Sequence, residues 1–443
     1  MPSVWWTGSG PIARAGWAQG SVGYADRSGR RSTGSERSVG DTQRTIMEHA
    51  AVVADRGTAA APAVPFFTQA ASFTALWPSV RANLDAVVDR GKYSHGPLVG
   101  RFERALAEHI GAAHVVGVNS GTDALVLLLR AAGLEPGDEV VVPAYSFVAS
   151  ASSVVLAGGL PVFADVDPLS YGIDVDTAAT TGATRMVMPV HLFCQLADLT
   201  AVAEFAQRHA LTVVEDSAEA IGMRWDGVHA GLHGAGGVLS FFPTKTLGAL
   251  GDAGAVITND DRIAETAAAL RHHGRHGHTL DNFPGISNET VLPGLNSKMD
   301  DIQAAVLLAK LDRLDADIAR RNRLAALYSD GLRGCPGVRR LPVVVDRDVD
   351  TNPVFYVYLV EVEHRDALAA YLAAHAVGTE TYYPVPLHLQ PCFAHLGYRR
   401  GQFPRAEAAS ATAIALPLYP DLTEAQVDRV CAVVRGFYGG GGA

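Results

Sequence analysis

Short apolar runs alternating with helical stretches constrain this chain more than any other feature. These runs are HVVGV at 114, EVVVPA at 139, LPVFADV at 160, MVMPVHL at 186, LTVVED at 211, VLSFFP at 238 and AVITND at 255. Between several of them lie segments of helical character, among them 98–110, 123–132 and 199–209. Near-continuous apolar strands separated by helices predict an α/β domain whose sheet is mostly parallel, with both faces covered. A long helix over about 300–332, with Ile302, Val306, Leu311, Leu314 and Ile318 at helical spacing, leads into a smaller α+β region. That region contains NPVFYVYLVEV at 352, a helix near 366–375 and a last helix after Leu422-Thr423-Glu424.

The predicted organisation has three parts. Residues 1–64 hold three of the five Trp and much Gly, Ser and Arg, with no sustained apolar period, and read as a disordered extension in which Met47 is an alternative start. Residues 65–310 form the large domain and 311–443 the small one. The first 30 residues lack the apolar core of a secretory signal. The longest uncharged run, Val140 to Ala164, is interrupted by two Pro, paired Gly and several Ser, and so reads as strand, loop, helix and strand rather than a membrane span. A net charge of −10 argues against nucleic acid or an anionic membrane as partner. Four cysteines with no CxxC spacing suggest neither disulfides nor a zinc site, and a cytoplasmic, reducing location is expected.

No P-loop, GxGxxG or HExxH motif is present. Chemistry is therefore sought beyond the carboxyl ends of the strands, where open α/β sheets bind ligands. Four groups fall there. Asn119-Ser120-Gly121-Thr122-Asp123 opens a helix, and free N–H groups with a hydroxyl at a helix N-terminus bind anions. Glu215-Asp216 ends a buried strand. Ser240 and Lys245 lie in LSFFPTKTLG, and Tyr145 and Phe147 follow Pro143. Taken singly, a helix cap, a surface amine and core aromatics explain them. Together, a phosphate cradle, a carboxylate, a flat aromatic and a lysine are what pyridoxal phosphate requires. Lys occurs only at 92, 245, 298 and 310, and of these only Lys245 sits at a strand end.

Over about 65–437 the sequence resembles the DegT/DnrJ/EryC1/StrS sugar aminotransferases. The resemblance is carried by VNSGTDAL at 118, VVVPAYSFVAS at 140, MPVHLFCQLADL at 188, VVEDSAEAIG at 213, LSFFPTKTLGALGDAGAVITND at 239, GLNSKMDDIQAAVL at 294, YYPVPLHLQP at 382 and LPLYPDLTEAQ at 416. It implies the fold-type I, aspartate aminotransferase-like architecture and pyridoxal 5′-phosphate as cofactor, with no metal. By position, Lys245 would be the Schiff-base lysine and Asp216 the partner of the pyridine nitrogen. Gly121, Thr122 and Ser240 would hold the phosphate, Phe147 would stack on the ring, and Glu219 would face the phenolic oxygen. Asn296 would reach the neighbouring subunit's cofactor in a homodimer with shared sites.

The implied reaction moves an amino group from an amino acid, with L-glutamate the expected donor, to a keto-sugar, foremost a nucleotide-linked keto-deoxysugar. A cyclitol ketone is the runner-up acceptor. A non-catalytic regulatory or assembly protein on the same fold is the rival from another class; a nicotinamide dehydrogenase would need a glycine fingerprint that is absent. Two positions depart from the family pattern: Cys194 stands where Gly is usual and Lys298 where Arg is usual, which bears on substrate contacts.

Overall fold

The computed structural model describes residues 62–275 and 289–439. The extension expected over 1–64 lies outside them apart from its last three residues. Of those, Val64 is fully buried and bridges to Val377.

Seven strands build the main sheet: β1 (His114–Val118), β2 (Glu139–Pro143), β3 (Leu160–Ala164), β4 (Thr184–Val187), β5 (Thr212–Asp216), β8 (Gly236–Ser240) and β9 (Gly254–Thr258), with a small hairpin of β6 (Arg224–Trp225) and β7 (Val228–His229) between β5 and β8. Their spatial order is β1-β9-β8-β5-β4-β2-β3. The pairs from β8 through β5, β4 and β2 to β3 are parallel, and only β9 runs against its neighbours. The apolar runs become strands because residues on both faces are covered: Val140, Val141 and Val142 are all fully buried. Helix Gly121–Ala131 packs on β8 and β9, and its residues 124–129 are buried without interruption, which is why its sequence looks apolar all round.

A second, antiparallel sheet follows C-terminally, in the order β10 (Val338–Arg340), β11 (Tyr358–Val362), β12 (Ala413–Leu416). Its core joins Tyr358, Val360 and Leu416 to Leu324 and Tyr328 and to Val430 and Val434 of the last helix, Glu424–Gly439.

The long helix expected over 300–332 is two helices, Asp301–Leu311 and Leu314–Leu332, interrupted at Asp312-Arg313. The first packs on helices Ala70–Arg90 and Pro97–Ile110, the second on the C-terminal helix. Leu311 and Leu314, on either side of the break, are both buried, so the apolar period runs through it. No helix among the described residues is long and apolar enough to cross a membrane.

Candidate active site

Strand ends deliver the site. β5 stops at Asp216, β8 at Ser240, and β1 leads through Asn119-Ser120 into helix Gly121–Ala131. These three ends open on one cavity of about 460 Å³, within the range of small-molecule sites. Lys245, Asp216, Glu219, Gly121, Thr122, Phe147 and Ser240 all line it.

On a strand, successive side chains point to opposite faces, and β5 uses this to separate two carboxylates. Asp216 faces the cavity, 5% exposed, and accepts from the Ser150 hydroxyl at 2.6 Å and the Ala218 N–H at 3.3 Å. Burial pushes its carboxyl up, and the Ser150 and Ala218 bonds only partly offset this. Glu215 faces away. It accepts from Gly231 N–H at 2.8 Å, His233 N–H at 2.7 Å and His191 at 2.9 Å. Burial alone would raise its carboxyl, but the His191 hydrogen bond together with that from the Gly231 N–H outweighs burial and holds it below the ordinary range. His191 itself accepts the Ala197 N–H on Nδ1 at 3.1 Å, so its Nε2 carries the proton that Glu215 receives.

Lys245 sits in a turn after β8, its Nζ 3.0 Å from Glu219 Oε1 and 4.2 Å above the Tyr356 ring. Burial pulls the ammonium down, but the Glu219 carboxylate, and then Tyr356, more than compensate and hold it above the ordinary amine value. Glu219 is further fixed by the Phe193 N–H at 3.0 Å and the Tyr383 hydroxyl at 3.3 Å. Tyr356 approaches Thr244 at 3.2 Å and Tyr382 at 3.4 Å through its hydroxyl.

The anion end has its own geometry. Ser120, not Thr122 or Asp123, is the cap: its hydroxyl accepts the Asp123 N–H at 3.1 Å. The first-turn N–H groups of Gly121 and Thr122 have no acceptor within the helix and Thr122 is not spent on capping. A Cβ at Gly121 would lie 2.9 Å from Ser240 Cβ, so glycine is what lets the helix start approach the end of β8. Free N–H groups, two hydroxyls and the positive helix end make a cradle whose chemistry fits a phosphate. A carboxylate at one wall and an amine at another match the rest of pyridoxal phosphate.

Of the two aromatics after Pro143, Phe147 lines the cavity mouth and is 57% exposed, whereas Tyr145 is fully buried and donates its hydroxyl to the Tyr382 carbonyl. Asn296 lies outside the cavity, exposed, on the loop before helix Asp301–Leu311, and accepts from Lys298 Nζ. Burial, then Arg271 and Arg275, pulls the Lys298 amine down. Cys194 is also outside. It is buried in the small-sheet core with its thiol pushed up to about 12 by burial, and the positive φ of that turn falls on Phe193, so Cys fits without strain. Ser150, His191, Tyr356, Tyr382 and Tyr383 were not singled out from sequence. Four of them stand in the family motif strings quoted above, where nothing in residue type marks them as site residues; Tyr356 stands in NPVFYVYLVEV, which reads only as part of the small domain. Among the described residues no cluster of His, Cys, Asp and Glu could hold a metal.

The DegT/DnrJ/EryC1/StrS aminotransferase family matches residues 78–435. The chain belongs to this family. Its relatives include a dTDP-3-amino-3,4,6-trideoxy-alpha-D-glucose transaminase of Streptomyces venezuelae, 40% identical over 84% of this chain and 96% of that protein. A Geobacillus stearothermophilus protein named pleiotropic regulatory protein is also 40% identical, over 85% of this chain and 98% of its own. Among solved structures of the fold, S. venezuelae DesV in complex with a ketimine intermediate superposes with a TM-score of 0.80, at 39% identity over 85% of this chain and 99% of that one.

Proposed function

We propose that this member of the family is a pyridoxal 5′-phosphate-dependent aminotransferase that moves an amino group from an amino acid, L-glutamate first, to a nucleotide-linked keto-deoxysugar. The observation that carries this reading is the cavity in which Lys245 faces Glu219 while Asp216 and the Ser120–Thr122 helix start form other walls. When bound, pyridoxal phosphate supplies the group that carries nitrogen between substrates and the electron sink for charge at the substrate carbon.

The chain's own residues do the rest. Asp216, oriented by Ser150, keeps a proton on the pyridine nitrogen, and a buried carboxylate with few donors gains most from a cationic partner. Gly121 and Thr122 N–H groups with the Ser240 hydroxyl bind the phosphate. Phe147, at the cavity mouth, would cover the ring, and Glu219 would face the phenolic oxygen. Lys245 holds the cofactor, and its freed Nζ takes a proton from the donor's α-carbon and delivers it again, first as base and then as acid. Asn296, outside its own cavity, serves the partner's site in a homodimer.

A regulatory reading has the name of one relative in its favour. A purely regulatory protein has no use for a buried lysine and carboxylate in one cavity, so the catalytic reading is preferred. The acceptor is tested by incubating the protein with pyridoxal phosphate, 15N-glutamate and a panel of nucleotide-linked keto-sugars and an inosose, read by mass spectrometry. Label in a nucleotide-linked aminosugar supports the proposal. Label in the cyclitol amine alone replaces the acceptor with the runner-up, and no label in any product sinks the enzyme reading.

A further inference from the structure

Lys310, on helix Asp301–Leu311, is a buried amine that the reaction above does not use. Its Nζ donates to the Gly248 carbonyl at 2.6 Å and to Gln69 Oε1. Gln69 in turn donates its Nε2 to the Pro243 carbonyl at 2.5 Å. An ammonium can only donate and a carbonyl can only accept, so the amide of Gln69 has one possible orientation. Pro243 and Gly248 are the two ends of the turn that carries Lys245. They are in close approach: a Cβ at Gly248 would lie 2.3 Å from the Pro243 carbonyl oxygen, which only glycine avoids.

We propose that Gln69 and Lys310 are positioning residues, a clamp that closes the Pro243–Gly248 turn and so fixes where Lys245 Nζ stands. Among the described residues no carboxylate forms an ion pair with Lys310. Burial, opposed by Asp317 and assisted by Arg321, brings its amine down to about 8. A cation kept at such a site, with one bond to the Gly248 carbonyl and one to the Gln69 amide that in turn holds Pro243, has a local task rather than an ion-pair one. Gln69 is itself anchored from the other side: it precedes helix Ala70–Arg90, whose Ala71 and Ser72 N–H groups are held by the Asp421 carboxylate. The clamp thus ties the lysine turn to both helix Asp301–Leu311 and the segment before the first described helix.

This inference rests on the reading of Lys245 as the cofactor lysine, and the test keeps the two apart. Cofactor-free protein is mixed with pyridoxal phosphate, and the rate at which borohydride fixes it to Lys245 is followed by peptide mass. If wild type fixes nothing at Lys245, the reading and the clamp both fail. If it does, Gln69→Glu decides the clamp. Glutamate still accepts from Lys310, and gives it a better partner, but cannot donate to Pro243. A clamp predicts fixation slowed about tenfold, as for a misplaced reactive group, with an unchanged or higher melting temperature. If Lys310 and Gln69 merely satisfy each other, Gln69→Glu fixes cofactor at the wild-type rate, and the proposal is overturned. Lys310→Met should slow fixation likewise if it folds; the decision does not depend on it.

Discussion

Asp216 and Glu215 are adjacent carboxylates with opposite surroundings, and on the proposed reading the difference divides their tasks. Glu215 is consumed by three donors and never reaches the cavity. Asp216 has one hydroxyl and one weak N–H, and burial leaves it in want of a cation. Asp216→Asn should therefore retain cofactor but lose turnover by about 100-fold or more, in the range of mispaired catalytic groups. Glu215→Gln should instead lower the melting temperature, because a buried charge-assisted network is broken, and leave kcat within a few-fold. Steady-state rates beside thermal melts separate the two. Equal rate losses in both variants would mean that the faces of β5 do not divide the labour in this way.

Elements set what these residues can reach. The start of helix Gly121–Ala131 approaches β8 only because position 121 has no Cβ. Gly121→Ala forces a 2.9 Å contact with Ser240 Cβ and should weaken phosphate-end binding, raising the dissociation constant for pyridoxal phosphate by about tenfold, roughly 1.4 kcal/mol. A fluorescence titration measures it, and unchanged affinity would remove the cradle from this helix. Strand ends were legible in the sequence because parallel strands are apolar on both faces and stop at polar residues such as Asp216 and Ser240. The helix break at Asp312-Arg313 was not, since Leu311 and Leu314 continue the apolar period across it. Tyr356, Tyr382 and Tyr383 were also hidden: they come from the C-terminal part of the chain, and only the tertiary fold brings them to Lys245. The Lys310 contact was hidden for the same reason: Lys310 stands on a helix far along the chain from its partner turn at 243–248.

At the scale of the whole molecule, two consequences can be measured. His229 is fully buried, and burial lowers it to about 4 despite the Ala230 carbonyl. The unfolded chain binds a proton there that the folded one refuses, so this contribution is complete above about pH 6.5 and is lost as pH falls towards 4. Up to about 3 kcal/mol is involved, and Glu215, held below its ordinary value, acts in the same direction. The melting temperature should fall between pH 7 and pH 5, with a shallower fall in His229→Gln; identical slopes would show that His229 is not the responsible group. The second consequence is assembly. If Asn296 completes a partner's site, mixing impaired Asn296→Ala chains with Lys245→Ala chains should restore activity, because one site in each mixed dimer keeps both residues. If Asn296 acts only within its own chain, mixing restores nothing.

On the proposed reading, Lys245 makes this cavity a transaminase. Protein loaded with pyridoxal phosphate is given L-glutamate alone, without any keto acceptor, and 2-oxoglutarate and pyridoxamine phosphate are quantified after one turnover. Wild type should give about one equivalent of each per subunit and Lys245→Ala or Lys245→Arg none, since arginine keeps the charge but not the reactive amine. Equal yields from wild type and Lys245→Arg would contradict that reading, as would a wild-type protein that forms neither product with any amino acid donor.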